Sequence, residues 1–522
     1  MAPVAVVRLQ LCQPALYSEK FHMFYRSKFG RRMLLGALLG GLPMTAGMAD
    51  DYFLTVGGGY APSSNQASLE NNVLFAQRAI QGKAQSDTNH VYFADGTDPG
   101  KDLEVMDREA VPKANRLMAE FFASDVNLGL SYRNHRVPDV RGESNPENLR
   151  EWFEDLGATL SAGDRLIIYV TAHGGASRDR RNTHNTTIAM WNSTKVTMTE
   201  FIGLLDQIDG DVPVVCVMVQ CHAGGFARMI FEDGDPGRGI ARQNRIGVFA
   251  TIHSRQAAGC TSEVDEATYE EYSTYFWAAV SGKDRAGNAI EVPDYDGNGE
   301  VSLEEAHAYT VIESNTIDLP VITSGEFLSE YGRYGNSNNE SSDGNKAEFL
   351  SEEATYDEVI AVATPCQKAI LERLSSQLEL TGNDRIQQAE RQSRNAVRSS
   401  PRGRRSRRRT PESQLRLEIA RDIKKKWPQL ANVMNPVAID LVTTQQDKFI
   451  AALEGHDEYA EYRKLADTGT NDGEKKRVKY ERFLRTVDNV IFAENLLRSD
   501  REGIKQKYNG IVELERQAFL KP

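Results

Sequence analysis

Short apolar runs and longer amphipathic stretches alternate along the first two thirds of the chain. Runs typical of strands cover residues 52–56, 91–93, 166–171, 212–219 and 246–251. The run at 166–171 (LIIYVT) is continuously apolar, as a strand buried on both faces should be. Helical patterns lie between the runs, for example over 199–208 and 266–280. Strands that alternate with helices predict an α/β fold, with a mainly parallel sheet and helices on both faces.

The last third of the chain has a different pattern. A polar, turn-rich segment near residue 340 predicts a boundary, and apolar stripes at helical spacing follow it, such as Ile370, Leu374 and Leu378. We predict a helical extension over 340–390 and a mainly α-helical C-terminal region over 412–522. Between them, residues 391–409 hold nine arginines and no acidic residue. This composition predicts a disordered basic linker over 391–411.

Length, net charge and cysteine count limit the kinds of protein that this chain can be. The chain has 522 residues, which is enough for two or three domains. Its net charge of −12 gives no indication of a nucleic-acid partner. Five cysteines are too few for a disulfide scaffold in a chain of this length, so a reactive thiol is the better expectation for at least one of them.

The N-terminus has the pattern of an export signal. Lys28, Arg31 and Arg32 precede a short apolar run over 33–42, and small residues follow near 47–49. A run of this length does not span a bilayer. We therefore predict a secretory or twin-arginine signal over 1–49, with Met23 as an alternative start. The mature protein is expected to be secreted or periplasmic and to have no membrane span.

Two of the apolar runs lead directly into reactive side chains. His173 and Gly174 follow the run at 166–171, and Cys221 follows the run at 212–219. A thiol attacks a carbonyl as the thiolate, and an imidazole can take its proton and return it to a leaving amine. Neighbouring parallel strands would set the two side by side. The N–H groups of Gly174 and Cys221 are then the candidate oxyanion hole.

This strand–His–Gly and strand–Cys pattern resembles the caspase/legumain/metacaspase superfamily of cysteine peptidases, and most closely its bacterial legumain-like and caspase-like members. The separation, 221 − 173 = 48 residues, is close to the value of about 50 in caspases. Residues 221–224 (CHAG) are similar to the Cys-His-Ser-Gly of metacaspases, and residues 65–67 (NQA) to the His-Gln-Ala of legumains.

The resemblance covers about residues 51–325, and we assign a peptidase domain to 50–339. It implies a caspase-like fold and hydrolysis of protein or peptide substrates through an acyl-enzyme. It also implies that Cys221 and His173 are the catalytic pair. By the same analogy, the loop over 253–258 lines the first specificity pocket, with Asn65 and Ser254 as candidate pocket residues.

The chain also departs from the family pattern. Val219 stands where legumains have a glutamate, and Ser64 stands where they have an arginine before His-Gln-Ala. Both of those residues help bind an asparagine side chain in that family, so asparagine specificity is not expected here.

Other readings of the same residues remain open. A lone histidine at a strand end or a lone buried cysteine is more often structural, and it is the matched pair that favours catalysis. The alternatives are a calcium-binding caspase-like module that binds proteins without cutting them, and a transamidase that uses the same pair. Cys216 and His222 are expected to be structural, and Cys260 to be either a pocket residue or buried packing.

Residues 294–305 fit the calcium loop of an EF-hand position by position. The glycine of the sharp turn is Gly299, and Pro293 directly precedes the loop. We expect Ca²⁺ in a structural or regulatory role, because Cys–His chemistry needs no metal. A plain surface turn is the alternative. The candidate ligands are Asp294, Asp296, Asn298, Glu300, Ser302 and Glu305.

The arginine-rich linker has three possible roles. Cleavage there could release a C-terminal region that caps or positions the peptidase. The segment could equally be a flexible tether, or it could bind an acidic surface.

Overall fold

A mainly parallel sheet organises the chain. The structure is a computed structural model that describes residues 50–82, 88–157, 159–333, 349–399, 410–467 and 472–520. Its strands are β1 (Asp51–Gly58), β2 (Asn89–Phe93), β3 (Leu103–Met106), β4 (Leu130–Arg133), β5 (Val140–Gly142), β6 (Arg165–Gly175), β7 (Thr187–Met190), β8 (Thr194–Thr197), β9 (Val214–Met218), β10 (Arg245–Phe249) and β11 (Val321–Ile322). The five apolar runs of the sequence correspond to β1, β2, β6, β9 and β10.

The main sheet has the strand order β11-β10-β9-β6-β1-β2-β5, and each neighbouring pair is parallel except β10 with β11. The end of β6 continues into an antiparallel extension with β7 and β8, while β3 pairs with β4 separately. The predicted α/β class with a mainly parallel sheet is confirmed. Parallel strands end at one edge, so the loops after β1, β6, β9 and β10 meet there.

Helices cover both faces of the sheet. They are α1 (Ala67–Ile80), α2 (Lys113–Phe122), α3 (Pro146–Gly157), α4 (Met198–Leu205), α5 (Tyr272–Ser281), α6 (Leu303–Glu313), α7 (Thr323–Tyr331), α8 (Tyr356–Val362), α9 (Pro365–Gln377), α10 (Arg385–Ser399), α11 (Pro411–Lys426), α12 (Pro436–Thr443), α13 (Gln446–Glu454), α14 (Tyr459–Asp467), α15 (Asp472–Arg498) and α16 (Glu502–Glu515). Even-numbered side chains of β6 and β9 are buried with α3 and α4. Odd-numbered ones are buried with α1 and α5, because strand side chains alternate between faces.

The helices after residue 349 share hydrophobic clusters with the sheet. Leu496 of α15 and Ile511 of α16 are buried in the same cluster as β6, β9 and β10. Helices α11 to α14 surround Phe121 of α2, and α9 and α15 pack against α6. The helical character of the C-terminal region is confirmed. These helices are nevertheless built into the core, so removing α15 and α16 would expose buried apolar surface.

The predicted basic linker is helical in its first part. Helix α10 runs to Ser399, because Ile386 and Ala389 anchor it in a buried cluster and arginine, glutamine and alanine favour helix. Residues 400–409 and the predicted export signal at 1–49 lie outside the described residues. Within the described ranges, no helix is both long and apolar enough to cross a membrane.

Candidate active site

The ends of β6 and β9 bring the two predicted catalytic residues together. The strands pair in parallel, with Val170 opposite Met218 at the last bonded position. His173 lies three residues further along β6, and Cys221 lies three residues beyond Met218, in the turn that follows β9. The strand ends touch, since a Cβ placed on Gly174 would lie 1.9 Å from the carbonyl oxygen of Cys221. Only glycine fits at this position.

The imidazole of His173 is oriented by the backbone. Its Nε2 lies 2.8 Å from the carbonyl oxygen of Ser64, and its Nδ1 lies 3.7 Å from Sγ of Cys260. Because a carbonyl oxygen can only accept, Nε2 carries the proton and Nδ1 keeps a lone pair. Burial lowers the pKa of His173, and the bond to Ser64 offsets this in part. The ring is therefore a neutral base at neutral pH, and its Nδ1 faces the thiol of Cys260.

The thiol of Cys221 contacts the loop after β10. Its Sγ accepts a hydrogen bond from the N–H of Ala257 at 3.3 Å. Burial raises the pKa of this thiol, and the Ala257 amide lowers it in part. Among the described residues, no hydrogen bond joins Sγ of Cys221 to the His173 ring. Proton transfer between them therefore needs Nδ1 to exchange its contact with Cys260 for one with Cys221, and catalytic hydrogen bonds often form fully only when substrate binds.

Cys260, for which the sequence left open a pocket role or buried packing, contacts the His173 ring in this site. It follows β10 in the same loop as Ala257, with a left-handed backbone at φ 59°. Burial, and then the neighbouring Cys221, raise the pKa of its thiol. In the sequence, the signal was a cysteine 11 residues beyond Phe249, the last residue of a strand that ends at this edge. That position was compatible with a pocket residue, but it did not predict contact with His173.

The ionisation of Cys221 makes a testable prediction. Burial holds the pKa of its thiol above the ordinary value of 9.0, and only the thiolate reacts with iodoacetamide. We therefore expect the alkylation rate of Cys221 to rise continuously from neutral pH to beyond that value. Timed alkylation with peptide mass spectrometry measures the rate. A plateau already reached near neutral pH would show a preformed thiolate–imidazolium pair and contradict the prediction.

The two amides expected at the oxyanion position lie at the touching strand ends. The backbone N–H of Cys221 donates to no other described residue. Gly174 lies directly against it, and the side chain of Gln220 is also close, at 2.8 Å from a Cβ built on Gly174. Gly174 is therefore needed for the close packing of the two strand ends, and its N–H as an oxyanion donor stays a prediction.

Asn65 does not line a pocket, which corrects the sequence prediction. Its side chain is wholly buried. The side-chain oxygen accepts from the N–H of Gly59 at 3.0 Å, and the side-chain nitrogen donates to Asp102 O and Oδ2 at 3.1 and 3.0 Å. Asn65 therefore fixes the turn after β1. Ser254 is exposed in the loop after β10, and its role in substrate binding stays a prediction.

A buried carboxylate and a buried arginine support the loop beside the thiol. Oδ1 of Asp318 accepts from the N–H of Ala258 at 2.6 Å, and burial raises the pKa of Asp318 to about 6. Arg482 of α15 donates to the carbonyl oxygens of Asp318 and Ser314 at 2.9 and 2.7 Å. It also donates to the hydroxyl of Thr316 at 2.9 Å. Arg482 of α15 therefore fixes the segment that contains Asp318, and Asp318 in turn fixes the backbone of the active-site loop at Ala258.

The predicted calcium loop leads into α6, and its last residue, Glu305, lies in the first turn of that helix. Carboxylate oxygens of Asp294, Asp296 and Glu305 lie within 4.8 Å of one another. Gly297 and Gly299 have φ values of 77° and 86°, which only glycine adopts readily. One oxygen of Asp294 is buried without a described donor and is available to a cation. This set of hard oxygen ligands suits Ca²⁺.

The remaining predicted ligands differ in their placement. The N–H of Asn298 donates to Asp296 at 3.0 Å. Ser302 is the N-cap of α6 and donates its hydroxyl to Glu305 at 2.8 Å. Glu300 is exposed, and its side chain stays apart from the three carboxylates. In EF-hand loops this position contributes its backbone carbonyl, so the departure does not weaken the fit.

A second group of possible ligands is already bonded within the protein. Oxygens of Asp95 and Asp102 lie within 4.8 Å of a ring nitrogen of His135. However, Nε2 of His135 is 2.8 Å from the carbonyl oxygen of Gly96, and Nδ1 accepts from the N–H of Val137 at 3.3 Å. Neither ring nitrogen is free, so this group is not a metal centre.

Comparisons with known proteins do not assign this chain to a family. No family model and no curated protein matches the chain. A crystal structure of the protein GSU0716 from Geobacter sulfurreducens is similar to it with a TM-score of 0.30 and 10% identity, covering 52% of this chain and 92% of that one. A similarity at this level carries no argument about fold or function.

Proposed function

We propose that the chain is a cysteine endopeptidase that hydrolyses peptide bonds, with Cys221 as nucleophile and His173 as general base and acid. One observation carries the proposal: two neighbouring parallel strands lead into a thiol and into a neutral imidazole, and a backbone carbonyl orients the imidazole through its Nε2. This arrangement supplies a nucleophile, a base and a group that orients the base, which together make up an activated nucleophile.

In the proposed reaction, Nδ1 of His173 takes the thiol proton as sulfur attacks the carbonyl carbon. The C–N bond breaks, the imidazolium gives its proton to the leaving amine, and a thioester remains on Cys221. Water, deprotonated by the same ring, then attacks the thioester and releases the acid product and the thiol. The N–H groups of Gly174 and Cys221 stabilise the oxyanion, and each is expected to contribute about 3 kcal/mol.

Cys221 is a better nucleophile than Cys260, although Cys260 contacts the imidazole. Sγ of Cys221 accepts an amide hydrogen bond that favours the thiolate. Cys260 has no amide donor of this kind among its described contacts, and both burial and Cys221 disfavour its ionisation. We propose that Cys260 shapes the pocket and shields the His173 ring, while Cys221 reacts.

The function is tested with the full chain and a library of peptides blocked at both ends. Mass spectrometry of the products distinguishes cleavage from transfer, because an added amine is incorporated only by a transamidase. The missing hydrogen bond between Cys221 and the ring also supports a second candidate, a calcium-binding module without catalysis. Absence of turnover across the library, in a folded protein that binds calcium, would favour that second candidate.

We also propose that the 294–305 loop binds Ca²⁺, with Asp294, Asp296 and Glu305 as its carboxylate ligands. The loop lies against the C-terminal tail, since the N–H of Phe519 donates to the carbonyl oxygen of Val301 at 2.9 Å. Bound calcium would neutralise the clustered carboxylates and fix the start of α6. Its proposed role is structural.

Calcium is therefore expected to raise the melting temperature of the full chain, because a ligand that binds only the folded state stabilises it. The variant Asp294→Asn should lose most of this shift, since it removes a carboxylate with a free buried oxygen. Glu300→Gln is the matched control, and it should keep the shift because that side chain is exposed. Differential scanning calorimetry with calcium and with chelator measures it. Equal shifts in the two variants would contradict the site.

A further inference from the structure

An exposed aromatic side chain lies against the proposed base of the active site. Tyr60 follows β1, and its ring centroid lies 5.5 Å from that of His173, with the two rings inclined at 63°. The residue is 40% exposed. Its hydroxyl forms no hydrogen bond with any other residue that the structure describes. Part of an aromatic ring is therefore open to solvent directly beside the imidazole.

The backbone of Tyr60 is held on both sides. Its N–H donates to Oγ of Ser64 at 3.0 Å, and its carbonyl oxygen accepts from the N–H of Ser193 at 3.1 Å. Ser193 has a left-handed backbone at φ 58°, which is uncommon for a residue other than glycine. A Cβ placed on Gly59 would lie 2.3 Å from the backbone of Ser64, so the turn is closely packed. An aromatic ring on such a fixed backbone loses little conformational entropy when it binds a partner.

The chain around Tyr60 is uncharged. Residues 57–66 (GGGYAPSSNQ) contain no acidic and no basic side chain. Of the two residues that follow the tyrosine, Ala61 is partly exposed and Pro62 is exposed. An apolar or aromatic group gains from burial against this surface, whereas a charged group would lose hydration without finding a partner on it. The surface beside the imidazole therefore suits an apolar ligand.

The proposed mechanism determines which part of a substrate meets this surface. The imidazole of His173 gives its proton to the leaving amine, and that amine is the backbone nitrogen of the residue after the cleaved bond. This residue must therefore lie beside the imidazole, where Tyr60 contacts the ring. The residue before the cleaved bond is held at Cys221 instead, as the thioester.

We propose that Tyr60 forms one wall of the subsite for the residue that follows the cleaved bond, and that this subsite selects peptides with an aromatic or large aliphatic residue there. The inference rests on the proposed peptidase function. The ring carries the preference, because aromatic groups pair favourably in edge-to-face or offset-stacked geometry, and the hydroxyl is not required. Contacts of this kind correspond to a preference of about tenfold over glycine.

The test uses the full chain and the best-cleaved library peptide, varied only at the residue after the cleaved bond. We expect kcat/KM to be about tenfold higher with phenylalanine than with glycine there. Tyr60→Ala should lose this preference, mainly through KM, while Tyr60→Phe should keep it. If Tyr60 acted only by orienting His173, its loss would slow all peptides by the same factor and leave the preference unchanged.

The matched control is Met434→Ala, which removes another exposed apolar side chain, 73% exposed, in the helical C-terminal region. It should keep the preference. A wild-type enzyme without the preference, or a preference unchanged in Tyr60→Ala, would overturn the inference. The peptidase assignment would then still stand, because the peptides are cleaved.

If no library peptide is cleaved, binding replaces cleavage as the readout. Isothermal titration calorimetry of the wild type and Tyr60→Ala then compares library peptides in pairs that differ only by phenylalanine against glycine. Tighter binding of the phenylalanine peptide that is lost in the variant would support the Tyr60 subsite while the peptidase assignment fails. Equal binding of both peptides by the wild type, a preference that persists in Tyr60→Ala, or no binding would overturn both.

Discussion

Replacing Cys221 with alanine is expected to lower kcat/KM for peptide hydrolysis by at least about 10⁴-fold, because the acyl-enzyme can no longer form. Cys260→Ala is the matched control, since it removes the other thiol of the same site. Its thiol touches Nδ1 of His173 at 3.7 Å, so some loss is expected from poorer ring orientation, within about tenfold. Both variants remove one sulfur from partly buried positions, and circular dichroism checks that each has folded.

The reverse result for the two cysteine variants would contradict the assignment of Cys221 as nucleophile. If Cys260→Ala abolishes hydrolysis and Cys221→Ala retains it, the nucleophile is Cys260 and the assignment from strand register is wrong. Loss in both variants with an intact fold would show that neither thiol acts alone. Retention of activity in both would remove cysteine catalysis altogether.

Replacing Arg482 with methionine is expected to lower the free energy of unfolding by about 3–5 kcal/mol. The side chain is 2% exposed, and its guanidinium donates to the carbonyl oxygens of Val311, Ser314 and Asp318 and to the hydroxyl of Thr316. Methionine fills much of the volume but leaves these buried acceptors without donors. Urea denaturation of the wild type and variant measures the difference.

Two controls sharpen this prediction. Arg498→Met removes an exposed i,i+4 pair with Glu494 and should change the free energy of unfolding by less than about 0.5 kcal/mol. Arg482→Lys keeps the charge but cannot reach several carbonyls at once, so it should recover only part of the loss. A stability of Arg482→Met within about 1 kcal/mol of the wild type would show that the 311–318 segment is held by other contacts.

The sequence predicted the two strands that lead to His173 and Cys221, because buried strands can be recognised from the local hydrophobic pattern. Continuous apolar runs identify β6 and β9 as strands buried on both faces. Their parallel register then sets the neighbours of His173, since the offset between paired residues such as Val170 and Met218 equals the offset from His173 to Cys221. The candidate calcium loop could also be recognised from the sequence, because all its ligands lie within residues 294–305.

The rest of the site depends on contacts between residues far apart in the chain. Arg482 and Asp318 are separated by 164 positions, and no periodicity relates them. Asn65 was assigned to a pocket from a short local similarity, but its side chain is buried and donates hydrogen bonds to Asp102. The contact of Cys260 with the His173 ring depends on the path of the loop after β10, which hydrophobic pattern does not determine.

The structure also bears on whether a cut in the arginine-rich segment would release the C-terminal helices. The C-terminal tail is tied to the sheet, because Arg165 at the start of β6 donates to the carbonyl oxygens of Ala518 and Phe519 at 3.0 and 2.8 Å. Helices α15 and α16 share the core cluster with the central strands. A cut within 400–409 would therefore leave α15 and α16 attached, and their proposed role is to position the active-site loop rather than to be released.

The most direct measurement is covalent labelling of the full chain with a peptidyl electrophile that carries a thiol-reactive group. Intact mass spectrometry counts the adducts, and peptide mapping locates them. The account predicts one adduct, on the sulfur of Cys221, whose formation slows by orders of magnitude in His173→Ala. An adduct on another cysteine, or labelling of Cys221 at an unchanged rate without the imidazole, would contradict it.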